Sequence, residues 1–228
     1  LEARGSDGRS QPHRTISDMC DEYADTIIAS GPGPHRLLGA SYAGLLAVET
    51  AERIVQQGGS VDLAVMLDTV MPRQDSWLDR QLRRKRIIRK EGRAGYSYVA
   101  RDLWRRARVR LGRIRHTPRW YVREITNRPL SAELAGKRLT HVSIEAERGF
   151  RPGRYGVRVL YFRALGEDLP LPEGRDEPWR ALIEDLDVVD SAGTHWGEGS
   201  MLDEPHLTDL CAELNRRLAA LDGIGDSS

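Results

Sequence analysis

The stretch that decides the fold is P-H-R-L-L-G-A-S-Y-A-G-L-L-A-V-E-T-A-E-R-I-V-Q-Q, residues 34–57. It begins as a short apolar strand at 35–38, passes through a turn of small residues with Ser41 at its apex, and continues directly as an amphipathic helix. A serine in such a turn forms a nucleophile elbow, because the sharp strand-to-helix turn pushes its hydroxyl clear of the sheet edge. The usual pattern is G-x-S-x-G, and here Ala43 occupies the second glycine position with Gly44 beside it. The stretch therefore predicts that Ser41 is a nucleophile.

Ser41 has a second interpretation, which is that its side chain simply caps the helix that follows. Serine is among the residues preferred at helix N-caps, so capping is its common role in that position. A strand on one side and a helix on the other are the context that a nucleophile elbow requires, and they favour the catalytic interpretation.

The rest of the chain alternates helices and strands around this stretch. The run V-D-L-A-V-M-L at 61–67 is apolar and of strand length, and a strand–helix–strand order with buried strands is typical of a parallel α/β sheet. Residues after Pro129 are interpreted as a polar connector. The other predicted elements are a helix at 15–30, strands at 157–162 and 187–189, a short helix at 179–182 and a closing helix at 205–221.

Length and composition set the broad class. With 228 residues we expect one domain, or one domain with an insertion, and neither a membrane span nor a signal peptide. Cys20 and Cys211 form no spaced pair, so we expect no disulfide framework and no metal site. These features predict a cytoplasmic protein.

Charge is distributed unevenly along the chain. Residues 80–128 hold 18 Lys and Arg against 3 Asp and Glu, which leaves 17 of the 35 basic and 31 of the 34 acidic residues for the remainder. This arginine-rich part contains two predicted helical segments, 77–89 and 96–115, and an apolar stripe runs along the second. Such a segment can be a solvated helix face, a nucleic-acid surface or a membrane-surface helix. The acidic remainder and the lack of a nucleic-acid motif count against the second, and we expect neither nucleic acid nor membrane as a partner.

The sequence also offers candidates for the base and the acid that an activated serine needs. Asp68 and Asp168 each follow a predicted strand, where loops at the carboxyl edge of a parallel sheet carry such groups. His195 lies in a small-residue loop after the last strand, the place of the base in the chain order Ser, acid, His. A lone histidine there can also be structural, and His206 is interpreted as a helix residue. The other four histidines precede the last strand: His13, His35, His116 and His141.

Several ordered motifs together resemble the thioesterase domains of nonribosomal peptide and polyketide synthases. They are L-E-A-R-G-S-D-G at 1–8, G-A-S-Y-A-G at 39–44 with L-D-T at 67–69, F-R-P-G-R-Y-G-V-R-V-L-Y-F-R-A at 150–164, and G-T-H-W at 193–196 with M-L-D-E-P-H-L at 201–207. The resemblance implies an α/β fold: an α/β-hydrolase-type, mostly parallel sheet flanked by helices, with an inserted Arg-rich helical lid. Its expected division is a core at 1–72 and 150–222, the lid at 73–149 and a flexible tail at 223–228.

The same resemblance implies roles for the candidate residues. Ser41 is then the nucleophile, His195 the base and Asp68 the orienting acid, with Asp168 as the alternative acid. The backbone N–H of Tyr42 is one oxyanion-hole donor. The N-terminal strands and the glycine-containing loop that supplies the second donor in this family are expected to be missing from the chain.

The implied function is a thioesterase that releases an acyl or peptidyl chain from the phosphopantetheine arm of a carrier protein, by hydrolysis or cyclisation. No bound cofactor and no metal are expected. A basic lid would attract an acidic acyl or peptidyl carrier protein. Two alternatives stay open: a degenerate fragment that only docks a carrier protein, and a generic serine esterase.

Overall fold

The computed structural model describes residues 1–72, 128–166 and 176–223, together with scattered residues between 85 and 126. The chain divides into two compact units, one made of Leu1–Met19 with Pro72–Arg151 and the other of Cys20–Met71 with Pro152–Ser228. The predicted division into core, lid and tail stays a prediction.

The described residues of the second unit form a four-stranded parallel sheet with the strands in chain order. Its strands are β1 (His35–Ala40), β2 (Val61–Leu67), β3 (Val159–Ala164) and β4 (Leu186–Ser191). Within the ranges 1–72, 128–166 and 176–223, the helices are α1 (Ile16–Ser30), α2 (Tyr42–Gln56), α3 (Ala132–Gly149), α4 (Glu177–Arg180) and α5 (His206–Leu221). This arrangement confirms the α/β class that the alternating strands and helices predict.

Helices cover both faces of this sheet, as a parallel sheet requires. On one face α2 packs against β1 and β2 and buries its apolar side, which includes Leu45, Val48 and Ile54. On the other face α5 contributes Leu210 to a cluster with strand residues such as Leu63 and Phe162. The sheet is therefore held between two apolar layers.

The strand register brings the carboxyl ends of neighbouring strands to one edge. Ala40 at the end of β1 pairs with Leu67 at the end of β2, and Ala164 at the end of β3 pairs with Ser191 at the end of β4. Because the chain leaves β1 at Ser41 and leaves β2 at Asp68, these two residues emerge side by side at this edge.

The prediction of a polar connector after Pro129 is wrong, because residues 132–149 form helix α3. Ala135, Leu139, Val142 and Ala146 recur at helical spacing, and Ala135 and Ala146 are buried. Small and moderately apolar residues among many charges make this stripe weak in the sequence.

Two predicted strands have different bounds in the structure. β3 begins at Val159 rather than 157, although Arg158 already accepts a hydrogen bond from Ala64 through its carbonyl (2.9 Å). β4 extends beyond 187–189 to Ser191, because Arg163 of β3 pairs with Asp190 across the ladder. Apolar content alone does not reveal such a charged extension.

In the arginine-rich part, every residue described between 85 and 111 is helical. Much of the predicted segments 77–89 and 96–115 lies outside the described residues. In the part of the chain that the structure describes, no helix is both long and apolar enough to cross a bilayer.

Candidate active site

The predicted strand–turn–helix around Ser41 is present in the structure and carries backbone strain at its apex. Ser41 has φ 52° and ψ −121°, a conformation that residues other than glycine rarely adopt. Its N–H donates to the carbonyl of Leu67 (2.8 Å), which ties the turn to the end of β2. A non-glycine residue in such a region costs on the order of 1–3 kcal/mol, and surrounding structure must hold it there.

Two glycines allow the turn to be this tight. A Cβ on Gly39 would overlap the carbonyl of Ala43, and a Cβ on Gly44 would overlap the side chain of Thr69. Gly44 therefore provides the close approach between helix and sheet, and Ala43 at the usual second glycine position is accommodated.

The side chain of Ser41 does not cap α2, although Ser41 is the N-cap residue. Its Oγ instead lies 3.1 Å from Nε2 of His195. The capping interpretation of this serine is therefore wrong, and its hydroxyl is directed to the histidine.

His195 joins the serine to a buried carboxylate. Its Nδ1 lies 2.7 Å from Oδ2 of Asp68, whose side chain is 1% exposed. The N–H of Ala164 donates to the other oxygen, Oδ1 (3.2 Å). With its proton on Nδ1, the imidazole donates to Asp68 and accepts the hydroxyl hydrogen of Ser41, which is the tautomer that a general base needs.

The loop after β4 holds the imidazole in place. Thr194 donates its N–H to Gly199 and accepts a hydrogen bond from the N–H of Met201, both at 2.9 Å. Gly193 has φ 91°, a left-handed conformation suited to glycine. The indole of Trp196 meets the His195 ring edge-on, with ring centroids 5.1 Å apart. The imidazole is therefore constrained by a compact loop and an aromatic neighbour.

One part of the site was missed by the sequence reasoning. The carbonyl of Thr69, directly after Asp68, accepts hydrogen bonds from Nε1 of Trp179 (2.9 Å) and from the hydroxyl of Tyr161 (3.3 Å). These residues lie about a hundred positions from Thr69 in the chain, and no local motif marks them.

The remaining predicted residues have different placements. Tyr42 is the first residue of α2, so its N–H lies at the helix N-terminus beside Ser41. His206 is a helix residue, as predicted, and it begins α5. Asp168, the alternative acid, and His116 lie outside the described residues. The structure brings together Ser41, Asp68 and His195.

The described part of the chain has a parallel sheet with helices on both faces. A strained serine turn follows one strand, an aspartate follows the next, and a histidine follows β4. Together these features are typical of the α/β-hydrolase class. Residues 1–90 match the family model described as the thioesterase domain. That range includes Ser41 and Asp68. The match confirms the similarity to thioesterase domains that the motifs predict.

Curated relatives with similar segments are synthetases. The chain is 32% identical over 71 residues to vanchrobactin synthetase VabF of Vibrio anguillarum, which is 31% of this chain and 2% of that protein. It is 33% identical over 79 residues to the inactive atromentin synthetase invA4 of Paxillus involutus, which is 33% of this chain and 8% of that protein. The aligned part thus spans a small fraction of each relative.

Among solved structures, the chain is similar to the NocB thioesterase domain in covalent complex with a fluorophosphonate nocardicin G analogue. The identity is 22% and the TM-score 0.57, and the match covers 91% of this chain and 76% of that one. At this identity the likeness supports the fold alone, a mostly parallel sheet flanked by helices of the α/β-hydrolase type.

Proposed function

We propose that this chain is a thioesterase that transfers an acyl or peptidyl group from the phosphopantetheine arm of a carrier protein to Ser41 and then releases it. The observation that carries the proposal is the continuous chain of hydrogen bonds from Ser41 Oγ through His195 to Asp68. The match of residues 1–90 to the thioesterase domain supports the choice of a thioester as the substrate.

In the acylation step, His195 Nε2 removes the proton of Ser41 as Oγ attacks the thioester carbonyl carbon. The resulting oxyanion accepts a hydrogen bond from the backbone N–H of Tyr42, at the positive end of α2. The C–S bond then breaks, the pantetheine thiol leaves with the proton held by His195, and an acyl-serine ester remains. Asp68 keeps the imidazole in the required tautomer and stabilises its protonated form.

In the release step, His195 removes a proton from the second nucleophile, which attacks the ester of Ser41. Water gives a linear acid, and an amine or hydroxyl of the bound chain gives a ring. The oxygen of Ser41 recovers its proton from His195, so the enzyme returns to its starting state. The same three residues therefore serve hydrolysis and cyclisation.

The proposed partner is an acidic acyl or peptidyl carrier protein. The excess of Lys and Arg in residues 80–128 supports it, because opposite charge raises the rate of encounter. Arg101 and Arg108 are exposed in this part of the chain. Reversing their charge should raise KM for a carrier-bound thioester and leave KM for a small acyl-pantetheine thioester unchanged. An equal change for both substrates would contradict docking at these arginines.

The decisive experiment treats wild type and Ser41→Ala with a fluorophosphonate probe and weighs the intact proteins by mass spectrometry. Wild type should gain the mass of one probe and the variant none. In parallel, thiol release from a short acyl-pantetheine thioester should require Ser41. Equal labelling of both proteins would exclude Ser41 as the nucleophile. Carrier binding without labelling or turnover would favour the docking-only alternative, and turnover of simple oxygen esters over thioesters would favour a generic esterase.

A further inference from the structure

The peptide that follows Asp68 is held by two buried hydrogen-bond donors. Trp179 Nε1–H and the Tyr161 hydroxyl both donate to the carbonyl oxygen of Thr69, at 2.9 and 3.3 Å. Trp179, Tyr161 and Thr69 are each 0% exposed. Two donors from different elements, β3 and α4, therefore converge on one carbonyl in the interior of the unit.

This carbonyl lies where the backbone needs external support. Asp68 has φ 44°, in the left-handed region that residues other than glycine seldom occupy. The N–H of Asp68 donates to the carbonyl of Phe162 (2.8 Å), and this hydrogen bond fixes the peptide that precedes Asp68. The hydrogen bonds to Thr69 fix the peptide on the other side. Hydrogen bonds therefore fix the peptides on both sides of Asp68. The fixed backbone sets the direction of the Asp68 carboxylate.

We infer that Trp179 and Tyr161 are positioning residues, which hold the Asp68 carboxylate against Nδ1 of His195 by binding the Thr69 carbonyl. The inference rests on the proposed function, since it assigns these two side chains a part in the reaction of Ser41. Each side chain donates a hydrogen bond to the Thr69 carbonyl. Through that hydrogen bond it sets the backbone conformation at Asp68 and so the direction of the carboxylate.

The competing explanation is that the Thr69 carbonyl only provides a hydrogen-bond acceptor for the buried Trp179 and Tyr161 donors and has no effect on the reaction. A buried tryptophan or tyrosine usually finds a partner for its polar atom, and losing that partner costs stability wherever it lies. The two explanations predict different effects on the contact between Asp68 and His195, and therefore on the reaction rate. A small misplacement of a catalytic group lowers rate by about 100-fold, whereas a loss of stability alone leaves the geometry of the folded protein unchanged.

The test uses Trp179→Phe and Tyr161→Phe, which keep an aromatic ring and remove the donor. Tyr155→Phe is the matched control, because Tyr155 is also buried and its hydroxyl donates to Glu49 (3.0 Å) rather than to the Thr69 carbonyl. Each variant is assayed for the rate of fluorophosphonate labelling, for kcat and KM with an acyl-pantetheine thioester, and for the Nδ1–H resonance of His195 by NMR.

We expect Trp179→Phe and Tyr161→Phe to lower the labelling rate and kcat by about 10- to 100-fold, with KM unchanged and the His195 resonance shifted. Tyr155→Phe should lower the melting temperature without these effects. If the labelling rate and the resonance stay at wild-type values in both variants, the inference is wrong. Should Trp179→Phe fail to fold, Tyr161→Phe decides alone. If wild type itself is not labelled, the proposed function fails, whereas the resonance still reports whether the two donors position Asp68 against His195.

Discussion

Gly44 and Thr69 approach so closely that no β-carbon fits between them. A methyl group on Gly44 would overlap Thr69 Oγ1 and would lie 2.9 Å from the carbonyl oxygen of Gly39. Thr69 Oγ1 is buried and has no hydrogen-bond partner among the described residues. The contact therefore joins the helix that follows Ser41 to the residue that follows Asp68, and it does so through packing alone.

Gly44→Ala should destabilise the protein by about 1–3 kcal/mol, as overpacking of a close contact does. Thr69→Ala removes the obstructing Oγ1, so the double variant should recover part of that loss. The remaining contacts with the Thr69 β-carbon (3.1 Å) and the Gly39 carbonyl oxygen (2.9 Å) prevent full recovery. A double-mutant cycle by urea unfolding measures the coupling, which we expect to exceed about 0.5 kcal/mol. Additive effects of the two substitutions would mean that the packing at this contact relaxes elsewhere.

Ser41→Gly should raise stability although it removes the hydroxyl of the candidate nucleophile. Glycine adopts φ 52°, ψ −121° without the steric cost that serine bears there, and that cost is on the order of 1–3 kcal/mol. Ser41→Ala also abolishes the hydroxyl but keeps the β-carbon, so it is the matched control. We expect the glycine variant to be the more stable of the two by about 1 kcal/mol in thermal unfolding. A glycine variant no more stable than the alanine variant would show that the turn is not strained.

The elbow and the chain order of the candidate site were predictable because each depends on local sequence. Small residues around Ser41 identify the turn, and Asp68, which contacts His195, directly follows the apolar run at 61–67. The contact between Asp68 and His195 follows once the sheet is known to be parallel, since both leave strands at the same edge. Their catalytic roles remain predictions of the proposed mechanism.

Other features were not predictable because their signal is distributed over the tertiary structure. Helix α3 buries mainly alanines on its apolar stripe, which a scan for large apolar residues passes over. Trp179 reaches the Thr69 carbonyl across 110 positions, and only the packing of α4 near β3 creates that contact. Similarly, β4 is longer than its apolar residues indicate because Arg163 compensates the charge of Asp190.

Asp68→Asn should lower kcat/KM by several orders of magnitude, since the amide cannot stabilise a protonated His195 and can favour the wrong tautomer; the equivalent change in serine proteases costs about 10⁴-fold. Asparagine keeps an oxygen for the N–H of Ala164, so the fold should persist. Asp168→Asn is the comparison variant, because it tests the alternative acid directly. Steady-state kinetics measures the turnover of the two variants, and circular dichroism checks that both are folded. Loss of turnover in the Asp168 variant with near-normal turnover in the Asp68 variant would exchange the two assignments.

Asp176 should make the stability of the protein sensitive to acid. Its carboxylate is buried and accepts hydrogen bonds from Arg163 (2.8 Å) and Arg180 (2.7 Å), next to the helix that carries Trp179. Burial by itself raises the pKa of Asp176, but the hydrogen bonds from Arg180 and Arg163 outweigh it and lower the pKa below the ordinary 3.8. The unfolded chain therefore binds this proton more readily than the folded one. The stabilisation is fully present above the unfolded pKa and is lost as pH falls through the folded value.

Asp176→Asn should accordingly cost about 1–3 kcal/mol in the free energy of unfolding at pH 7, and this difference from wild type should shrink as pH falls below about 4. Urea unfolding at pH 7, 5, 4 and 3 measures it. Asp190→Asn is the control, because Asp190 also pairs with Arg163 but is half-exposed, and exposed pairs contribute about 1 kcal/mol or less. A cost of Asp176→Asn that is constant from pH 7 to pH 3 would show that its charge does not stabilise the fold. If the free-energy cost of Asp176→Asn decreases as the pH falls, the ionised Asp176 carboxylate stabilises the region around α4, the helix that carries Trp179.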